Sequence, residues 1–141
     1  MIEKSVVLSC GVDEAFALFT ARISAWWPPD RRHTQDPESQ LFLTEAGRFW
    51  ERDRAGREVE LGRVRLWQAP HRLLLDFYVG TDAEHPTEVE IRFTALDAGT
   101  EVSVTHRPTP ASEALYRERA PRYERSWQLV LAALAAAASV A

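Results

Sequence analysis

The sequence predicts an α+β fold: a curved antiparallel sheet of six or seven strands wrapped on a long C-terminal helix, with two short helices after the first strand. Three observations carry this. Between residues 41 and 107 apolar side chains recur with period two, separated by turn-forming residues, which is how half-buried antiparallel strands read. Beyond Pro121 the period becomes helical, with Tyr123, Trp127, Val130, Leu131, Leu134 and Ala138 on one stripe. Around Gly62 the strand phase slips, Val59 and Leu61 sharing one parity and Val64 and Leu66 the other. A glycine at such a slip marks a β-bulge that bends a sheet.

The elements follow in order. Residues 2–9 alternate Ile2, Lys4, Val6 and Leu8 with Glu3, Ser5, Val7 and Ser9 and stop at Gly11, which reads as the first strand. Asp13 stands before Glu14 and the apolar Ala15, Phe16, Leu18 and Phe19, so it is expected to cap a short helix. Helical structure ends near Pro28 and Pro29. From Leu41 a meander of five strands is punctuated at Gly47, 53–56, Ala69-Pro70, 80–86 and 97–99. The strand at 72–79 puts Leu73, Leu75, Phe77 and Val79 on one face, and that at 87–95 sets Val89, Ile91 and Phe93 against Glu88, Glu90 and Arg92. Each has a dry and a wet face. The dry face needs a cover, which the C-terminal helix supplies while Arg122, Arg125 and Gln128 point away. Pro121 suits the first turn of that helix, so residues 111–119 are expected to form a separate shorter one.

A chain of 141 residues suits one domain over 1–141, with no repeat or linker. A net charge of -4 argues against a nucleic-acid partner, because phosphate binding needs a basic face. A lone Cys10 makes no internal disulfide, the N-terminus lacks a secretory pattern, and residues 129–141 are too few and too alanine-rich to cross a bilayer. The expected address is the cytoplasm, without membrane attachment. His33, His71 and His85 lack metal-ligand spacings, and no P-loop, G-x-S-x-G or G-x-G-x-x-G motif occurs. No metal, no cofactor and no catalytic residue are expected.

The candidate binding residues are mostly aromatic. Trp26, Trp27, Phe49, Trp67, Phe77, Phe93, Tyr123 and Trp127, with Leu131, either line a cavity for an apolar ligand or pack an ordinary core. Trp26 and Trp27 cannot both turn inward from one regular stretch, so at least one is expected near a cavity mouth, an exposed patch or a contact surface. His106 shares the face of Val102 and Val104 and is either a hydrogen-bonded core residue or a polar anchor for a ligand. Glu51 shares the parity of Phe49. If both face inward, Glu51 needs a partner such as Arg63, Arg65 or His106; if Trp50 owns the apolar face, Glu51 and Asp53 lie in water. Should Glu51 and His106 meet, an acid/base pair follows. The acidic pairs Glu58 with Glu60 and Glu88 with Glu90 are expected on solvated faces.

Residues 16–20 (Phe-Ala-Leu-Phe-Thr), 25–29 (Ala-Trp-Trp-Pro-Pro), 47–53 (Gly-Arg-Phe-Trp-Glu-Arg-Asp) and 56–64 (Gly-Arg-Glu-Val-Glu-Leu-Gly-Arg-Val) narrow the reading. With 88–95 and 99–106, they resemble the activator of heat-shock-protein-90 ATPase homologue family, within the START-like (SRPBCC) helix-grip superfamily. The resemblance spans nearly the whole chain and departs at Ala46-Gly47, where other members often carry Gly-Gly. It implies a cavity between sheet and helix. Three functions are then open: a binding domain for an apolar or aromatic small molecule, a module for a chaperone or other protein partner using the Trp26-Trp27 surface or the arginine-bearing helix face, and a cyclase- or hydrolase-like enzyme. The oligomeric state is expected to be monomer or homodimer.

Overall fold

Strand β1 (Ile2–Leu8) leads to α1 (Val12–Phe19), α2 (Ile23–Trp26) and a single 3-10 turn at Pro29–Arg31. There follow β2 (Gln40–Leu43), β3 (Arg48–Arg52), β4 (Glu58–Gln68), β5 (Arg72–Phe77), β6 (Thr87–Leu96), β7 (Gly99–Arg107) and the long helix α3 (Glu113–Val140). This computed structural model describes residues 1–140, with side chains to Ser139. All neighbouring strands are antiparallel, in the order β1-β7-β6-β5-β4-β3-β2, so the sheet is a meander to which β1 adds itself beside β7. The sheet curls into a half-barrel, and the core lies between its inner face and the helices.

The curl has a local cause in β4. Phe49 pairs with Gly62 but Trp50 with Glu60, leaving Leu61 as an extra residue, and a second shift falls between Val64 and Leu66. The two bulges bend β4 and restore inward facing to Trp67, which meets Phe16 edge-on at 5.2 Å. Gly62 is required at this bend, since a Cβ there would run into the backbone carbonyl of Asp76.

Several sequence expectations are corrected. The meander has six strands rather than five: Gly47, at φ 113°, turns the chain tightly enough to split off the four-residue β2. Helix α1 starts at Val12 with Gly11 as its N-cap, so Asp13 falls in the first turn, where it favours the helix dipole without capping. Strand β5 ends at Phe77, two residues early, ahead of the positive-φ Gly80. Residues 113–140 form one helix that runs through Pro121. Pro121 is exposed, and both flanks of the helix are tied to β7: the Tyr116 hydroxyl donates to the His106 carbonyl at 2.7 Å, and the Tyr123 ring lies 4.3 Å from the His106 ring. Tertiary contacts therefore outweigh the backbone bond that proline removes.

The outer face is ionic. Arg48 pairs with Glu58 and Glu60, and Arg65 with Asp76 and Glu88. Glu90, expected in water, is only 6% exposed and is surrounded by Arg72, Arg92 and Arg107 at 2.5, 2.9 and 2.8 Å. Burial alone would raise its carboxyl, but these guanidiniums hold it below the usual range. Trp50 also faces out, stacked on Phe42 at 4.3 Å beneath the guanidinium of Arg48, which leaves the inner face of β3 to Phe49 and Glu51. Among the described residues no helix is long and apolar enough to cross a membrane.

Candidate functional site

The site is built where α2 gives way to a loop. Pro28 and Pro29 stop the helix, and Trp27 already has extended backbone angles, φ -56° and ψ 128°. The change of direction between Trp26 and Trp27 swings both rings inward, leaving them 7% and 5% exposed with centroids 5.7 Å apart. The expected Trp26-Trp27 contact surface therefore does not exist. Two regular geometries meet between these residues, and no single periodicity governs both. Trp26 Nε1 donates to the Leu18 carbonyl at 2.7 Å and Trp27 Nε1 to the Arg31 carbonyl at 3.2 Å.

A buried carboxylate and a half-buried guanidinium hold the loop over residues 28–39. Glu51, with no exposed surface, accepts from the amides of His33 and Thr34 at 2.8 Å each, from Thr34 Oγ1 at 2.5 Å and from Ser39 Oγ at 3.0 Å. Burial alone would raise this carboxyl, yet the bonds from Thr34, His33 and Ser39 hold it below the ordinary carboxylate range, so it is ionised. Arg32 answers from the loop side. Its Nη2 donates to the carbonyls of Trp27 at 2.8 Å and Ser24 at 2.9 Å, and its Nη1 to that of Ser39. None of Arg63, Arg65 and His106 is the partner of Glu51: backbone amides of a distant loop take that role.

Between this loop and α3 lies a cleft of about 160 Å³. Its apolar wall is Trp27, Phe77, Val79, Trp127 and Val130; its polar rim is Asp30, Arg31, Arg32, His33, Tyr123 and Ser126. Behind Trp127 sits His106, fully buried. Trp127 Nε1 can only donate, and it donates to His106 Nδ1 at 3.0 Å. The neutral ring must then carry its proton on Nε2, which donates to Thr87 Oγ1 at 2.8 Å, and that hydroxyl in turn donates a hydrogen bond to the Phe77 carbonyl at 3.1 Å. Burial, assisted by the charged N-terminus, lowers the His106 pKa to about 3. The imidazole is thus a neutral, doubly bonded core group. With both nitrogens engaged it offers no base to the cleft, and Glu51 does not reach it, so the conceivable acid/base pair is absent. Tyr123, whose hydroxyl donates to the Val79 carbonyl at 2.7 Å, is pushed up to about 12 by burial and stays protonated.

The family model described as activator of Hsp90 ATPase homolog 1-like protein matches residues 10–139. The chain belongs to this family. Among solved structures it is similar to CalC, a self-sacrificing resistance protein from Micromonospora echinospora, with a TM-score of 0.74 and 23% identity, covering 97% of this chain and 92% of that one. A Rhodobacter sphaeroides protein gives a TM-score of 0.69 at 19% identity, covering 99% and 92%. Txn09, an anthrahydroquino-Gama-pyrone synthase complexed with SUM, gives 0.57 at 29% identity, covering 82% and 77%. No curated protein matches the chain.

Within this family fold the residues singled out from the sequence separate into groups. Trp27, Phe77, Tyr123 and Trp127 meet at the cleft, and His106 supports Trp127 from behind. Phe49 lies one layer deeper, 6.2 Å from Trp27 and 6.4 Å from Phe77. Trp26 packs on Phe19 at 5.6 Å, Phe93 on Phe16 at 5.1 Å and Trp67 on Phe16, all away from the cleft. Leu131 is buried beside Val130 but does not line the cleft. The residues that sequence reasoning missed are Asp30, Arg31, Arg32 and His33. A signal was present: two prolines ending a helix, followed by Asp-Arg-Arg-His, mark a polar, charged loop directly after α2.

Proposed function

We propose that this chain is a single-domain, cytoplasmic binding protein that holds an apolar or aromatic small molecule in the cleft between the 28–39 loop and α3. One observation carries the reading: an aromatic-walled cleft of about 160 Å³ lies beside Trp127. A dry cavity of roughly 150 Å³ accommodates one benzene ring, so the cleft as it stands suits a ligand with a single ring. The likeness to Txn09, described as a synthase complexed with SUM, supports a ligand site on this fold. Partner binding of the chaperone-activator kind would fall to the arginine-bearing face of α3, because the two consecutive tryptophans are buried. An enzyme would have to draw its chemistry from Asp30, Arg31, His33 or Tyr123, since His106 and Glu51 are already committed.

A thermal-shift and tryptophan-fluorescence panel of single-ring compounds tests the binding reading. A ligand that binds only the native state at a hundred times its Kd adds about 2.7 kcal/mol. Filling the cleft by Ser126→Phe should abolish that gain while the variant remains folded. Stabilisation that survives Ser126→Phe would put the ligand elsewhere and defeat the proposal.

A further inference from the structure

The cleft's two arginines differ in their commitments. Arg32 is spent on three backbone carbonyls and faces the buried carboxylate of Glu51. Arg31 makes no side-chain hydrogen bond and no ion pair among the described residues; its Nε is buried without a partner, as is that of Arg32, but its two Nη groups, unlike those of Arg32, are also uncommitted. Asp30, the acidic group of the rim, is exposed and makes no ion pair among the described residues. A guanidinium whose Nη donors have no partner at a cleft is open to a planar carboxylate, the group whose geometry matches it. The aromatic wall of Trp27, Phe77 and Trp127 stands across the same small space.

From this pairing of an uncommitted Arg31 with a ring-sized apolar wall, we infer that the cleft selects a single-ring aromatic carboxylate, the ring against Trp127 and the carboxylate on Arg31. The inference rests on the apolar-ligand reading above and adds the charge of the ligand to it. Arg31 is well suited to the task because its backbone is fixed: its carbonyl accepts from Trp27 Nε1 and its amide donates to the Pro28 carbonyl at 3.0 Å. A positioned backbone lowers the ordering cost of binding.

The test uses phenylacetate and its neutral isostere phenylacetamide, titrated into the full chain and followed by the indole N–H signals of Trp27 and Trp127 in proton–nitrogen NMR. Charge-assisted bonding predicts that phenylacetate binds at least about tenfold more tightly than the amide. Arg31→Gln should bring the two probes to the same Kd, and Arg122→Gln, on the far face of α3, should leave the tenfold preference intact. Equal affinities in the unaltered protein, with both probes moving the Trp27 and Trp127 signals, would overturn the carboxylate preference and leave apolar binding standing. A preference that survives Arg31→Gln would overturn the role of Arg31. If neither probe moves the cleft indoles, the apolar-ligand reading falls and the inference falls with it.

Discussion

Replacing Glu51 with alanine should loosen the wall of the cleft before it disturbs the sheet. The carboxylate accepts four hydrogen bonds, two of them from the backbone amides of His33 and Thr34. The hydroxyls of Thr34 and Ser39 can rotate towards new acceptors, but the two amides cannot. Each orphaned buried amide costs about 1–3 kcal/mol, and Arg32 loses the charge that faces it, so Glu51→Ala should cost about 3–5 kcal/mol. Glu51→Gln keeps one acceptor oxygen while turning an NH2 group towards donors, and about 2–3 kcal/mol is expected. Urea unfolding at neutral pH, read by tryptophan emission, gives the global loss, and hydrogen exchange of the His33 and Thr34 amides gives the local one. A loss below about 1 kcal/mol for Glu51→Ala, with both amides still protected, would refute the clamp.

The remaining predictions concern the support behind the cleft and the curl of the sheet. His106 has a folded pKa of about 3 against 6.5 when unfolded, so from pH 6.5 down to 3 the unfolded chain binds a proton that the native ring does not. Stability must therefore fall with pH over that window, by up to about 1.4 kcal/mol per unit. Urea midpoints from pH 7 to 4 should show this slope flattened in His106→Gln, and parallel curves for the two proteins would count against a buried neutral imidazole. Tyr123→Phe removes the bond to the Val79 carbonyl and should cost about 0.5–1.5 kcal/mol by the same unfolding measurement. Gly62→Ala forces a methyl group against the Asp76 carbonyl and should cost about 1–3 kcal/mol. A Gly62→Ala variant as stable as the parent would mean that the Asp76 carbonyl yields and that glycine is not required at the bend.

Much of the fold is legible in the chain because strands and helices announce themselves by period. The alternation of Val102, Val104 and His106 places the histidine inside, and the stripe from Tyr123 to Ala138 identifies the covering helix. The phase slip at Gly62 locates a bend, because a bulge changes which parity faces inward and leaves that change in the order of residues. These features are local consequences of backbone geometry.

The candidate site is less legible, for physical reasons that particular residues show. Trp26 and Trp27 both turn inward because the helix ends between them, and a periodicity rule has no term for a junction. Glu51 is buried, as one of its two readings holds, but its partners are amides 17 and 18 positions away, and any buried carboxylate can be satisfied by any donors the fold delivers. Pro121 reads as a helix start because isolated proline disfavours continuation, whereas Tyr116 and Tyr123 anchor both flanks to His106 and carry the helix through. The sheet, the covering helix and the aromatic stock from which a cleft is made can all be read from the chain, since they follow from side-chain periodicity. That Trp27, Phe77, Tyr123 and Trp127 share one space with Arg31 emerges from the folded arrangement alone, because a meeting of residues so far apart in the chain depends on curl, register and loop closure together.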